Sequence, residues 1–201
     1  MTATVPGAAP APGPAFAPPG RTARDTAVVI DVTVRPARPQ DAADLLALSR
    51  EAIAESAAAH YDTVQRRAWA GRRTLEQHLR MIEETATVVA LADGDLAGFA
   101  SLALAAVRSL QAGEVDQLFV RPRSGGRGVA RTLLEAVAES GRQAWLASLV
   151  THASWRAAPV FERLGYAREQ VETVDIDGVG LTRVRMRLRL GGPGAQRTAP
   201  R

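Results

Sequence analysis

The chain of 201 residues has no cysteine and no lysine. Without cysteine it can carry no disulfide framework, no thiolate-bound zinc, no iron–sulfur cluster and no thiol nucleophile. No apolar run approaches the roughly 18 residues of a membrane span. The N-terminus lacks the basic start and continuous apolar core of a secretory signal. These absences predict a soluble, cytoplasmic protein with no membrane partner. All 25 basic residues are arginine, whose guanidinium hardly titrates, so the pI near 10.7 overstates the charge. Of the net +4, Arg21, Arg24, Arg197 and Arg201 against Asp25 place +3 in the two ends. The near-neutral remainder gives no footing for a nucleic-acid partner.

Length suits one domain with flexible ends. Residues 1–27 hold half of the twelve prolines and almost no bulky apolar side chain, and 191–201 (GGPGAQRTAPR) read alike. Such segments cannot offset their ordering entropy, so both are expected to be disordered tails around a domain at 28–190. VVIDVTVR (28–35) alternates as a strand. A helix follows from Pro39, with Ala42, Leu45, Leu46, Ser49, Ala52 and Ile53 at helical spacing, and a second helical stretch covers about 63–84, interrupted by Gly71. Residues 85–104 read as a hairpin around Asp-Gly-Asp. A strand at 113–120, a helix ended by Gly141, a strand at 144–150 that would bury Trp145, a helix over 153–165 and two strands about Asp177-Gly178 complete the order. Trp155 would pack at the start of that last helix. In VRMRLRL (184–190) the arginines alternate on one face, either solvated or guarding an edge. The expected class is α+β, a mixed sheet with helices on its faces.

The most informative stretch is VDQLFVRPRSGGRGVARTLL (115–134). A strand runs through Arg121-Pro122 into a glycine loop and straight into an amphipathic helix. Gly125, Gly126 and Gly128 allow close backbone approach, and the amides at the helix start suit a phosphate or pyrophosphate. A Walker A loop is excluded because no lysine exists. A Rossmann fingerprint fails because Arg131 stands where its third small residue belongs. Val115 and Leu118 are three apart, which alternation forbids unless a bulge lies near Asp116-Gln117; the simpler reading is an edge strand with Leu118 facing solvent.

The run from Gly125 to Ala130, after a strand ending Val120-x-Pro122, resembles the acetyl-CoA loop of the GNAT superfamily of N-acetyltransferases. The likeness extends over nearly all of 28–190, including the closing FERLGY (161–166). HYDTVQRRAWA (60–70) and ASWRAAPVFERLGY (153–166) resemble its small bacterial YafP-like branch. The resemblance implies a three-layer fold, a mostly antiparallel twisted sheet of about seven strands between helices. It implies acetyl transfer from acetyl-CoA, without a metal, to the amine of a small molecule or protein by direct attack in a ternary complex. By position, Leu118, Phe119 and Val120 would meet the acetyl carbonyl and pantetheine arm. Arg123, Gly125, Gly126, Arg127, Gly128, Val129 and Ala130 would form the diphosphate loop, with Ser154 and Phe161 also beside the coenzyme. A homodimer would be unsurprising, and an Arg-lined last strand could contribute to it.

Amine attack requires loss of a proton, so a general base is expected. Asp116 is the first candidate, nearest the bulge, and Glu114 the second; both also suit outward positions of a half-exposed strand. The family's usual acid is a tyrosine in the last helix, and this chain has Phe161 there. His152, His60 or Tyr61 could substitute. Phe161 also favours an alternative, an acyl-CoA-binding module with little or no turnover. Ser154 suits either pantetheine or an N-cap. Tyr61 and Trp69 are candidates for the acceptor wall, although for Trp69 core packing between helix and sheet is the favoured role.

Overall fold

A computed structural model describes residues 31–191. The expected tails lie outside this range, apart from Gly191, as does the start of the strand expected from 28. Seven strands form one sheet: β1 (Val32–Pro36), β2 (Ala86–Ala92), β3 (Asp95–Leu102), β4 (Glu114–Val120), β5 (Ser148–Ser154), β6 (Ala167–Ile176) and β7 (Val179–Arg189). Their order is β1-β2-β3-β4-β5-β7-β6. Every neighbouring pair is antiparallel except β4 with β5. The helices are α1 (Ala42–Glu55), α2 (Thr63–Gly71), α3 (Leu75–Glu84), α4 (Val129–Gln143) and α5 (Ala158–Arg163).

Two apolar clusters fix the layers. Leu45, Leu48, Ile53 and Met81 of α1 and α3 pack against Val89, Phe99 and Phe119 on one face of the sheet. Leu133, Leu134 and Val137 of α4, with Phe161 of α5, pack against Ala100, Leu102, Val115 and Leu149 on the other. Each buried Leu or Phe contributes about 1.5–3 kcal/mol, and that burial orients helices whose short lengths would not hold them alone. Gly98 brings α4 close: a Cβ there would stand 2.8 Å from the Phe119 carbonyl oxygen and 3.1 Å from Leu133 and Val129 side chains. Gly98 also pairs with Val120, so the start of α4 is pressed beside the end of β4. The hairpins turn as Asp-Gly predicts, with Asp93-Gly94 and Asp177-Gly178 all at positive φ.

The sequence reading needs five corrections. The helical stretch 63–84 is two helices, because Thr74 starts α3 with its own capping box to Gln77, as Asp62 does for α2 with Gln65. In α1, Leu48 takes the buried place expected of Leu46. Gly141 lies inside α4, where a Cβ would be 3.0 Å from both Leu149 and Leu190 side chains. The helix ends instead at Gln143 and is closed by Trp145, in left-handed backbone (φ +58°) and 77% exposed. Leu146 N–H donates to Gly141 O and Trp145 N–H to Arg142 O, a Schellman closure. Strand β5 therefore begins four residues late and runs on to Ser154, which confines α5 to Ala158–Arg163 and leaves Trp155 in the preceding turn. Finally, the Arg-rich strand β7 is not the sheet edge but lies between β5 and β6. Its arginines find acids on β6: Arg183 on Glu172 at 2.6 Å, Arg187 on Glu169 at 2.5 Å.

Candidate active site

The site begins with one extra residue. Across the β3–β4 ladder Ser101 faces Gln117 while Leu102 faces Val115, so Asp116 has no counterpart. This is the bulge that the Val115–Leu118 spacing requires. Beyond it Leu118 and Val120 pack on the α4 side with Val115, and Phe119 on the α1–α3 side. The solvent-facing edge reading of Leu118 is overturned, since β4 is the central strand and Leu118 is half-buried. Pairing of β4 with β5 covers only Glu114–Val150 and Val115–Thr151, locked by Thr151 Oγ1 donating to Val115 O at 2.9 Å. After that the strands diverge. Arg121 N–H bonds Ala97 O at 2.8 Å, so by antiparallel alternation Phe119 and Gln117 bond β3 while Leu118 and Val120 turn their amides and carbonyls to the gap.

The glycine loop closes one end of the gap. A 3-10 turn at Pro122–Ser124 leads to Gly126 (φ +75°) and Gly128 (φ +83°), which directly precedes α4. No side chain caps this fifteen-residue helix, so its first amides and positive dipole end are open to an anion. A Cβ on Gly126 or Gly128 would project into open space. A cleft of about 920 Å³ runs along the gap, bordered by Gly125, Gly126, Gly128, Val129 and Ala130, by Leu118, Phe119 and Val120, and by Ser154 and Phe161. Arg123 and Arg127 border a separate small recess at the β2–β3 turn instead, and Arg123 lies 3.8 Å from Asp95. Arg131, Arg156 and Arg163, none of which the sequence reading placed beside the coenzyme, reach the cleft. Ser154 Oγ accepts Ala157 N–H at 3.2 Å, capping the turn into α5. Phe161 is 2% exposed and stacks edge-on to Tyr166, ring centres 5.0 Å apart.

The acid–base candidates converge where the strands part. Asp116 is exposed on its bulge and accepts Gln117 Nε2–H at 3.2 Å. Glu114 is half-buried, accepts Gln111 N–H at 3.0 Å, and holds Oε1 3.9 Å from His152 Nε2. His152 Nδ1 lies 2.5 Å from Glu172 Oε1. Burial acts to raise the Glu172 carboxyl, but hydrogen bonds from His152 and Arg183 outweigh it and hold it below the usual carboxylate range. An ionised Glu172 can only accept, so Nδ1 carries the proton and Nε2 faces the cleft. Glu172 escaped the sequence reading because it comes from β6, 58 residues from Glu114 along the chain.

The remaining wall belongs to the helix layer. Tyr61 Oη donates to Thr182 O at 2.7 Å and accepts Trp155 N–H at 3.1 Å; burial raises its pKa, and the Trp155 bond opposes this. Its proton is thus committed to the fold. Trp69 packs edge-on against Tyr61 and tilted on Phe119, ring centres 5.7 and 6.1 Å away. His60 is exposed and outside the cleft. Among the described residues no cluster of His, Asp and Glu is placed to hold a metal, and no helix is long and apolar enough to cross a membrane.

A family profile described as acetyltransferase (GNAT) domain matches residues 49–190. The chain belongs to the GNAT acetyltransferase family. It is an acyltransferase by that membership. Among relatives, the uncharacterized N-acetyltransferase YafP of Escherichia coli (strain K12) is 28% identical over 157 residues, 78% of this chain and 95% of that protein. A GCN5-related N-acetyltransferase from Rhodopseudomonas palustris has the same fold at TM-score 0.71 and 30% identity, covering 79% of this chain and 95% of its own. The PaiA N-acetyltransferase of Thermoplasma acidophilum, solved in complex with coenzyme A, gives 0.63 at 18% identity, covering 79% and 99%.

Proposed function

We propose that this GNAT protein moves the acetyl group of acetyl-CoA to a primary amine by direct attack in a ternary complex. The observation that carries the reading is the β4–β5 gap ending on the uncapped, glycine-led start of α4. Open amides there suit a diphosphate, and the backbone of Leu118 and Val120 offers hydrogen bonds to the pantetheine arm and the thioester oxygen. A backbone N–H on that oxygen stabilises the charge that develops as the carbonyl carbon becomes tetrahedral. Coenzyme-bound PaiA supports the coenzyme half of the reading. Acetyl-CoA supplies the activated acyl group; the amine nitrogen forms the new C–N bond as the C–S bond breaks.

The chain's own residues manage the protons. Asp116, with Glu114 behind it, takes one from the acceptor's ammonium so that the nitrogen lone pair is free. The proton that neutralises the departing thiolate cannot come from Phe161. His152, oriented by Glu172 and facing the gap through Nε2, supplies it as the doubly protonated imidazolium, giving up the Nε2 proton while Nδ1–H stays on Glu172. Thiol release from acetyl-CoA across a panel of amines tests the proposal. Turnover that depends on amine supports it; coenzyme binding with no turnover on any amine would instead favour the binding-module reading that Phe161 suggests.

A further inference from the structure

The acceptor side of the cleft holds a cation that no carboxylate pairs with among the described residues. Arg72, Arg73, Arg80 and Arg108 line it. Arg72 pairs with Asp177 at 2.9 Å, Arg80 with Glu76 at 2.8 Å and Arg108 with Glu84 at 2.6 Å. Among the described residues, no carboxylate lies within 4.0 Å of Arg73. Its guanidinium sits 5.5 Å from the centre of the Phe119 ring, and its Nε is enclosed with no hydrogen-bond partner while the rest keeps some contact with the cleft. Burial lowers its pKa, and the charge of Asp116 only partly opposes this. A half-enclosed, unpaired charge is a cost that an incoming anion relieves. A second orphan lies next to Asp116 on β4: Gln117, 6% exposed and lining the same cleft, leaves Oε1 without a donor.

We infer that the acceptor is an amine that carries its own carboxylate, an amino-acid-like zwitterion, and that Arg73 binds that carboxylate. The inference rests on the acetyl-transfer reading above. Charge complementarity supports it: Asp116 and Glu114 face the ammonium end, Arg73 the carboxylate end, and Gln117 Oε1 accepts an N–H of the same molecule. The planar guanidinium matches a carboxylate in shape as well as sign. A polyamine, with positive charge at both ends, would meet Arg73 as a like charge.

Product-like probes test this without turnover. A panel of N-acetyl-α-amino acids, each beside its carboxamide, is titrated into the full chain saturated with CoA. The best acid binds about tenfold or more tighter than its carboxamide, as a charge-assisted contact predicts. Arg73→Gln brings that ratio to about one while CoA affinity, read first on the same sample, stays within about twofold. Arg73→Met, which keeps the apolar stem over Phe119, replaces it if Arg73→Gln does not fold. Acids and carboxamides bound equally by the CoA-loaded wild-type chain overturn the carboxylate assignment and leave acetyl transfer standing. No CoA binding by the wild-type chain overturns both.

Discussion

Gly128→Ala and Gly94→Ala impose one backbone cost at two places with different consequences. Both glycines sit at positive φ, +83° and +86°, and at both a Cβ would meet nothing within 4 Å. Left-handed backbone costs a non-glycine residue about 1–2 kcal/mol. Each variant should therefore lose about that stability, or ~2–8 °C in melting temperature for a chain of this size. What fills the open space differs. Gly94 turns the β2–β3 hairpin away from the cleft; at Gly128 a methyl would project from the loop whose amides are proposed to receive the coenzyme's diphosphate. Losing one hydrogen bond to a charged group costs about 1.5–3 kcal/mol, which is ~10- to 150-fold in affinity. Calorimetric titration of CoA into wild type and both variants, beside their melting curves, separates the two costs. Equal CoA affinity in the two variants would refute the assignment of the loop, whatever their stability.

Three further outcomes follow from the same geometry. Asp116→Asn should lower kcat/KM by about 10²–10⁴-fold, the usual worth of a positioned base, with CoA affinity retained; a fall under about threefold moves the role to Glu114. Tyr61→Phe strands Thr182 O and Trp155 N–H, and should cost about 1–3 kcal/mol in urea unfolding; a loss within error shows that water replaces both bonds. His78 is buried with Nδ1 on Thr74 O at 2.8 Å and Nε2 3.3 Å from Ser49 Oγ, and burial holds its pKa below the usual range. The unfolded chain then takes up a proton near pH ~6.5 that the folded chain refuses, so stability falls as pH drops below about 6.5 and levels off past the lowered folded value. Urea midpoints at about pH 7.5 and about pH 5.5 should show this fall, and His78→Gln should flatten it.

Much of the frame was legible because local chemistry set it. The Val115–Leu118 spacing could only be a bulge or an exposed edge, and the bulge at Asp116 lies where β4 leaves β5. Asp93-Gly94 and Asp177-Gly178 turned their hairpins through backbone that few other pairs adopt. The start of β5 was not legible: AWLASLV is apolar but for Ser148, so its pattern cannot say where a helix stops and a strand begins. Trp145 deepened the error, since nothing local marks a tryptophan that closes a helix in left-handed backbone. The shift mattered for the site, because it carries β5 through His152 to Ser154 along the gap. Glu172 and Arg73 gain meaning only from tertiary neighbours: one supports His152 from β6, the other sits over Phe119 from the α2–α3 joint. No spacing along the chain encodes either contact.

Hydrogen–deuterium exchange with and without CoA tests the central geometry most directly. Backbone donors of Leu118, Val120 and the loop from Gly125 to Ala130 should slow together when CoA is added, while the Asp93-Gly94 and Asp177-Gly178 turns keep their rates. Protection that leaves 118–130 unchanged, or falls elsewhere in the chain, would contradict the account.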